Sequence, residues 1–289
     1  MDKIVFYEER DFSAKLSATI DFVRQNFLSL AKSILFIAGP ASLIFGIALT
    51  EYMKTVFRLG YGEGRGSNEL AELAPFGISY FFLILASSLA GIFVISTTYS
   101  YMKLYNERET DDKIEVSEVF KLVGQNFFKL LGLTVLVSLM LIVSFLLFVI
   151  PGIYISVVVS FVFAVAIFEK IDIVSAIGRC FKLIKGKWLS TLGILFVTYF
   201  IASLISGLFA IPYYIISFAQ LFTNISNQEF IYSEPSLLYR IFEIVASTVL
   251  ALGSYISAVI PLIALAFQYF NLVERQESRG LMSQIENID

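Results

Sequence analysis

The sequence predicts an all-α integral membrane protein with six transmembrane helices in three hairpins, each hairpin preceded by a cytoplasmic amphipathic helix. Three observations predict this class: long apolar runs, basic residues collected on one side of those runs, and an internal repeat. The chain of 289 residues is 57% hydrophobic and 16% charged, with a mean hydropathy of +0.80. Soluble domains average about 45–50% apolar and about 25% charged residues, so the composition is that of a membrane protein.

Six runs are apolar enough to cross the hydrocarbon core, which needs about 20 residues of helix. They cover residues 34–50, 76–98, 130–150, 153–168, 189–211 and 244–268. Membrane strands would alternate apolar and polar residues, whereas these runs are apolar on all sides, so helices are predicted. Pro151-Gly152 lies between the third and fourth runs and predicts a tight turn there.

Basic residues collect at one end of the spans, which is called the basic end below. Residues 1–33, 99–129, 169–188 and the tail after the sixth span contain 17 of the 21 Lys and Arg residues. The other four lie at the opposite end: Lys54, Arg58, Arg65 and Arg240. Because positive charge marks cytoplasmic segments, both termini are predicted to be cytoplasmic. The charged first 33 residues do not resemble a signal peptide, so the first span is expected to remain in the mature protein.

An internal repeat accounts for the tripeptide Gln-Asn-Phe, which occurs at residues 25–27 and again at 125–127. Each copy lies in a basic stretch that runs into an odd-numbered span. The stretches begin at Asp11 and Asp111, and a third begins at Asp172. Asp is a favourable N-cap for a helix, or it lies in the turn before one. One membrane domain over residues 1–289 is predicted, with repeats at approximately 11–103, 111–170 and 172–273.

In each stretch, apolar residues recur at i, i+4, i+7 and i+11, which is the spacing of one face of an amphipathic helix. This apolar stripe consists of Leu16, Ile20, Val23, Phe27, Val116, Phe120, Val123, Phe127, Ile177, Phe181, Ile184 and Trp188. Apolar side chains beside Lys and Arg are typical of a helix lying at the bilayer surface. The same pattern suits docking of a partner protein, and the two uses are compatible.

Residues 116–200 resemble a known family through a series of motifs. Pro-Gly-Ile-Tyr at 151–154 is followed by a short span ending in Glu169, an amphipathic helix, and Phe-Lys-Leu-Ile-Lys-Gly-Lys-Trp at 181–188. The region resembles the membrane domain attached to some bacterial glycerophosphoryl diester phosphodiesterases, which also stands alone in other bacterial proteins. Residues 10–27 and 268–289 resemble a stand-alone subset of this family from Bacteroidetes. The resemblance implies a six-helix protein of the bacterial inner membrane.

The resemblance covers the membrane module alone. In that family the hydrolytic reaction belongs to a separate soluble barrel, a fold of about 250 residues, and the six spans leave no room for one. Such enzymes also use His and metal-binding carboxylates, and this chain has no His. The sequence therefore predicts no enzymatic activity, no cofactor and no metal site.

Few residues elsewhere suggest chemistry. The Gly-rich stretch 59–69 lacks the Gly-Lys-Ser/Thr of a phosphate-binding loop and is predicted to be an outer loop. Cys180 has cations beside it that would lower its pKa, but without a His partner it is predicted to be an inert thiol. Arg240 and Glu243 are spaced as an i, i+3 pair. Glu169 and Gln268 are predicted to be interface residues at span ends.

Small residues and prolines occur inside the first and sixth spans. Small residues at helical spacing predict close helix packing; they are Ala38, Ser42, Gly46, Gly253 and Ser257. Gly39-Pro40 and Pro261 interrupt these two spans. They are compatible with simple kinks or with broken helices of the kind that line transport sites.

The function predicted from these features is that of a non-enzymatic inner-membrane scaffold or assembly partner of a membrane complex. The alternative is a transporter, channel or lipid-handling protein, which would have a polar cavity between the hairpins. A membrane enzyme has the least support, because catalytic groups are lacking. The expected partners are the lipid bilayer and a membrane protein, with no nucleic acid, and the sequence leaves the oligomeric state open.

Overall fold

The computed structural model describes residues 3–60, 69–108, 113–226, 236–280 and 282, and all regular structure in these ranges is helical. The described residues form eight helices. They are α1 (Phe12–Gly60), α2 (Glu69–Glu107), α3 (Val116–Leu147), α4 (Val149–Val159), α5 (Val162–Phe168), α6 (Ile173–Leu183), α7 (Trp188–Ser226) and α8 (Leu237–Glu277).

Six helical stretches are long and apolar enough to cross a membrane. They are Phe12–Leu59, Leu73–Glu107, Val116–Leu147, Val149–Phe168, Trp188–Ala219 and Leu237–Glu277. Five of them contain a predicted span whole, and the fourth combines α4 with α5. The third, Val116–Leu147, ends three residues before the end of the predicted span 130–150. The prediction of an all-α membrane fold with six spans is therefore confirmed.

The amphipathic stretches differ in how they join their spans. α1 continues without a break from Phe12 into the first span, and α3 does so from Val116 into the third. α6 is a separate helix, since a turn containing Gly186 lies before α7. Gly186 has φ of 73°, a conformation that suits glycine. A distinct helix before a span is therefore seen only for the third stretch among the described residues.

Two of the predicted Asp residues cap helices. A carboxylate oxygen of Asp11 accepts a hydrogen bond from the backbone N–H of Ala14 at 2.7 Å. Asp172 accepts one from the backbone N–H of Ser175 at 3.1 Å. Hydrogen bonding from Ser175 holds the pKa of Asp172 below its usual value. The predicted N-caps of α1 and α6 are thus confirmed.

The second stretch begins differently. Asp111 lies outside the described residues, and α3 starts after Glu115. The backbone N–H of Glu115 donates to the Glu118 carboxylate at 3.0 Å. Arg108 also donates to both oxygens of that carboxylate, at 2.6 and 2.8 Å. Glu118 therefore ties the end of α2 to the start of α3.

The turn between the third and fourth spans is not at Pro151-Gly152, where the sequence predicts it. The chain reverses at Phe148, which has extended backbone angles (φ −160°, ψ 145°). Pro151 lies in the first turn of α4, where a helix tolerates a residue without an N–H. A Cβ on Gly152 would lie 2.5 Å from the Phe145 ring. Gly152 therefore allows close packing of α4 on α3 and is not a turn residue.

The interruption of a span also falls at an unpredicted place. α1 is helical through Pro40 and α8 through Pro261, so neither proline breaks its helix. The fourth span is interrupted instead at Ser160–Phe161, between α4 and α5. Phe161 has φ −102° and ψ 13° and is fully buried. No proline marks this break, which explains why the sequence did not predict it.

The chain divides into two compact units. Unit 1 comprises Met1–Ile37, Ile92–Ala202 and Ala258–Asp289. Unit 2 comprises Ala38–Gly91 and Ser203–Ser257. All 17 basic residues of the basic end belong to unit 1, and the other four belong to unit 2.

Unit 2 is packed through small and apolar residues. Its buried core contains Leu49, Tyr213 and Ala246. A Cβ on Gly46 would lie 2.6 Å from the Thr248 hydroxyl oxygen. The Ser247 hydroxyl donates to the Gly46 carbonyl at 3.1 Å. The prediction of close packing at Gly46 is confirmed, and α1 and α8 approach each other there.

Candidate functional site: a buried polar network in unit 1

The last turns of α8 carry polar side chains that the structure buries. Gln268, Asn271 and Glu274 are 0%, 3% and 5% exposed. Gln268 is therefore not the interface residue that the sequence predicts. Since a buried polar group is unfavourable without a hydrogen-bond partner, each of these side chains requires partners from neighbouring elements.

Gln268 joins α8 to α1 and α7. Its carbonyl oxygen accepts a hydrogen bond from Lys15 Nζ at 2.7 Å. Its amide nitrogen donates to the Thr191 hydroxyl at 2.9 Å. This orientation of the amide agrees with its partners, because an ammonium group only donates. Lys15 is itself 4% exposed, although it lies among the basic residues beside the apolar stripe.

An ion-pair network joins α5, α6 and α8. Arg179 Nε donates to the Glu169 carboxylate at 3.0 and 3.1 Å, and its guanidinium also pairs with Glu277. The Tyr269 hydroxyl donates to Glu169 at 3.0 Å. Glu169 thus lies at the centre of the network, with its side chain only 10% exposed.

The hydrogen bonds of this network favour the charged form of Arg179. Burial lowers its pKa, but the hydrogen bonds to Glu277 and Glu169 outweigh burial, so the pKa is raised. The neighbouring Cys180 is fully buried, and burial raises the pKa of its thiol. The thiol is therefore neutral near pH 7, and the neighbouring cations do not activate it.

The segment before α1 packs into the same unit. Phe6 is 1% exposed, and its ring stacks on Tyr105 at a centroid distance of 5.7 Å. It also contacts the rings of Phe267 and Phe270, at 5.4 and 4.9 Å. Residues 3–10 form no helix, so these aromatic contacts contribute to holding the segment in place.

A backbone hydrogen bond reinforces this attachment. The N–H of Arg10 donates to the Asn271 side-chain oxygen at 2.8 Å. The Arg10 guanidinium pairs with Glu8 and donates to the Val5 carbonyl at 2.5 Å. Asn271 therefore connects the last turns of α8 to the segment that precedes α1.

The stripe residues lie in several environments. At the first stripe position, Leu16, Val116 and Ile177 are half-buried. At the second position, the side chains are exposed in all three stretches; they are Ile20 (58%), Phe120 (61%) and Phe181 (40%).

The remaining stripe positions differ among the stretches. At the third position, Val123 and Ile184 are buried, whereas Val23 is half-buried. At the fourth, Phe27 is 49% exposed, while Phe127 stacks on Phe93 at 5.5 Å. The last residue, Trp188, stacks on Tyr154 at 6.0 Å and donates to its carbonyl at 3.2 Å. The second position is thus the one at which all three stretches expose a large apolar side chain.

Other predictions have separate outcomes. Arg240 pairs with Glu51, so the predicted pair with Glu243 is replaced by a contact between α8 and α1. Most of the Gly-rich stretch 59–69 lies outside the described residues. Among the described residues, no group of three or more His, Cys, Asp or Glu side chains is placed to hold a metal ion.

No protein-family model, curated protein or solved structure matched this chain. The resemblance of residues 116–200 to the phosphodiesterase-associated membrane domain stays a prediction.

The spacing of residues along the sequence could not predict the buried polar network. Glu169 and Gln268 are separated from their partners by up to 253 residues. One signal was available: Gln268, Asn271 and Glu274 recur every third residue at the end of an apolar helix, which places them on one side of it.

Proposed function

We propose that this chain is a non-enzymatic membrane protein that acts as a scaffold or assembly partner in a membrane complex. The observation that carries the proposal is the exposure of Ile20, Phe120 and Phe181 at equivalent positions of three similar stretches. Large apolar side chains beside basic residues form a surface suited to a partner helix or to lipid.

Support also comes from the way these stretches are held. Lys15 binds α1 to Gln268 of α8, and Arg179 binds α6 to Glu169 and Glu277. Each charged group in this network has a partner. Such an arrangement favours a role in fixing surfaces over one in proton transfer, since a catalytic group must exchange its proton with substrate.

The partner is proposed to be a membrane protein bound in a fixed ratio. We would extract the protein gently from its own membrane and analyse it by native mass spectrometry. A variant carrying Ile20→Ala, Phe120→Ala and Phe181→Ala is expected to lose the partner. The matched control carries Asp21→Ala, Lys121→Ala and Lys182→Ala, which are exposed neighbours on the same helices, and is expected to keep it.

Two results would contradict the scaffold proposal. One is a wild-type protein that carries lipid or a small molecule but no protein in a fixed ratio. The other is a partner that is retained equally by the stripe variant and by the control, because the exposed apolar residues would then have no part in binding it.

A transporter, channel or lipid-handling protein is the second candidate. The break at Ser160–Phe161 favours it, since interrupted membrane helices often lie at transport sites. Reconstituted vesicles that exchange a lipid or release a solute only when this protein is present would support the second candidate over the first.

A further inference from the structure

A run of hydroxyl-bearing residues lies buried on α2. Six consecutive residues carry hydroxyl groups, and each is at most 2% exposed: Ser96, Thr97, Thr98, Tyr99, Ser100 and Tyr101. A hydroxyl that has left water needs a hydrogen-bond partner. Whether these six hydroxyls have partners within the protein therefore indicates whether the run binds a ligand.

Two of the six hydroxyls are satisfied within the protein. Thr98 donates to the Val94 carbonyl at 2.8 Å, and Tyr101 donates to the Asn26 side chain at 3.0 Å. The hydroxyls of the other four have no partner among the described residues; they are Ser96, Thr97, Tyr99 and Ser100. Ser and Thr in helices commonly bond the carbonyl four residues earlier, and here three of them do not.

Two of the unpartnered hydroxyls share a helix face with a lysine. Ser96, Ser100 and Lys103 follow at i, i+4 and i+7, so they lie on one side of α2. Lys103 is 9% exposed, and its Nζ donates to the Ile167 carbonyl of α5 at 3.3 Å. The Tyr99 ring also meets α5, at 6.0 Å from the Phe168 ring.

A second lysine reaches the same place from α3. Lys129 Nζ donates to the Ala166 carbonyl at 2.7 Å. Its acceptor and that of Lys103 are successive carbonyls at the C-terminal end of α5. Two ammonium groups, on different helices, therefore converge on one helix end.

The two lysines have charged neighbours of both signs. Lys103 interacts electrostatically with Lys170, Glu107 and Lys129, and Lys129 interacts with Asp172. A helix C-terminus supplies only about half a negative charge, and no ion pair joins Lys103 or Lys129 to a carboxylate of a described residue. Glu169 is bound by Arg179 and Tyr269. Because neither lysine forms an ion pair with these carboxylates, its ammonium group keeps donors for an anion.

We propose that Lys103, Lys129 and the hydroxyls of Ser96 and Ser100 bind a phosphate group at the end of α5. Phosphate oxygens only accept hydrogen bonds, whereas ammonium groups and hydroxyls donate them. Each ammonium has three donors, of which one is used by a carbonyl of α5. A metal cation would be repelled by both lysines. This proposal does not depend on the scaffold proposal.

The depth of the site indicates a lipid as one source of the phosphate. Lys103 follows the second apolar run (76–98), and Lys129 directly precedes the third (130–150). Side chains just outside an apolar run lie at the level of lipid headgroups. A soluble phosphate ester has the same chemistry and would reach the site from the aqueous side.

The test uses the full chain in nanodiscs of phosphatidylcholine, with or without added phosphatidylglycerol. Native mass spectrometry counts the retained lipids, and thermal unfolding in phosphatidylcholine alone, with added inorganic phosphate, tests the soluble source. Lys103→Met and Lys129→Met are each expected to lower retained phosphatidylglycerol about tenfold, as expected for the loss of one charged hydrogen bond. Lys121→Met removes an exposed lysine of α3 and is the matched control.

Further variants keep the test valid if a Met variant fails to fold. Lys103→Arg retains the charge and is expected to retain the lipid. Ser100→Ala is expected to reduce retention, because it removes a ligand-facing donor. If Ser100→Ala leaves retention unchanged, the Ser100 hydroxyl does not bind the ligand and the proposal fails.

The lipid and the soluble source give different outcomes. Selective retention of phosphatidylglycerol, lost in the Lys103 and Lys129 variants, supports a lipid phosphate. Stabilisation by inorganic phosphate, lost in the same variants, supports a soluble phosphate ester. The proposal is overturned if neither probe binds, or if Lys121→Met has the same effect as the other two variants.

Discussion

Units 1 and 2 are stabilised in different ways. In unit 1, charged and polar side chains are drawn inside and paired, as in the ion pair of Arg179 (19% exposed) with Glu169 (10% exposed). In unit 2, the ion pair of Arg240 with Glu51 is much more open, at 36% and 45% exposed, and α1 and α8 approach each other closely at Gly46.

The difference follows from where the charges lie in the sequence. Unit 1 contains the 17 basic residues of the basic end, and several of them reach polar partners on other helices. Hydrogen bonds have defined directions, so a polar network selects one arrangement of helices more strictly than apolar contact does. Four variants, ordered from the largest expected effect to the smallest, test this contrast.

The largest effect is expected for Phe6→Ala in unit 1. The substitution removes a fully buried ring that contacts several aromatic residues, and Phe→Ala changes in cores cost about 3–5 kcal/mol. We expect the free energy of unfolding to fall by about 4 kcal/mol, measured by reversible denaturation in detergent. Val5→Ala, at a neighbouring side chain that is 57% exposed, should change it little. Equal effects of the two variants would mean that the segment is not held by Phe6.

The second effect is expected for Arg179→Met. Glu169 and Glu277 would lose their shared cation, and removing one partner of a buried ion pair costs about 3–5 kcal/mol. Because Arg179 keeps 19% exposure, we expect a loss of about 3 kcal/mol, at the lower end of that range. Adding Glu169→Gln to the variant should recover part of the loss. No recovery would show that the ion pair is not the cause.

The third effect is expected for Gly46→Val in unit 2. The new side chain would collide with Thr248, and overpacking costs typically 1–3 kcal/mol. We expect a loss of about 2 kcal/mol in the same denaturation assay. Gly91→Val is the control in unit 2, since a Cβ on Gly91 meets nothing within 4 Å. A larger loss for the control would contradict close packing at Gly46.

The smallest effect is expected for Arg240→Gln. Exposed ion pairs contribute about 0–1 kcal/mol, so breaking the pair with Glu51 should lower the free energy of unfolding by about 0.5 kcal/mol at most. A loss as large as that of Arg179→Met would remove the contrast between the two units.

The sequence predicted the parts of this structure that depend on local patterns. The six spans follow from continuous apolar runs, and the caps at Asp11 and Asp172 follow from the backbone N–H groups that every helix start leaves free. Pro151-Gly152 was wrongly predicted as a turn because Pro suits a first helical turn as well as a β-turn. The break at Ser160–Phe161 lies in an apolar run with no distinguishing residue.

The polar network could not be predicted from the sequence, for a different reason. Gln268 looks like a residue at the end of a span, and its burial depends on the segments that cover α8. In the sequence, Lys15 resembles a basic interface residue. Its hydrogen bond to the Gln268 carbonyl exists only because α8 packs beside α1. Pairing across more than 200 residues is decided by the packing of whole helices, and no periodic pattern encodes it.

The attachment of residues 3–10 has a consequence for the order of synthesis. Phe6 packs on Phe267 and Phe270, and the N–H of Arg10 binds Asn271, 261 residues later in the chain. These contacts form only once the ribosome has made the end of the last span. Until then the apolar ring of Phe6 lacks these partners, and its contacts are limited to residues made earlier, such as Tyr105. Docking of residues 3–10 is thus a late step that requires synthesis to have passed residue 271.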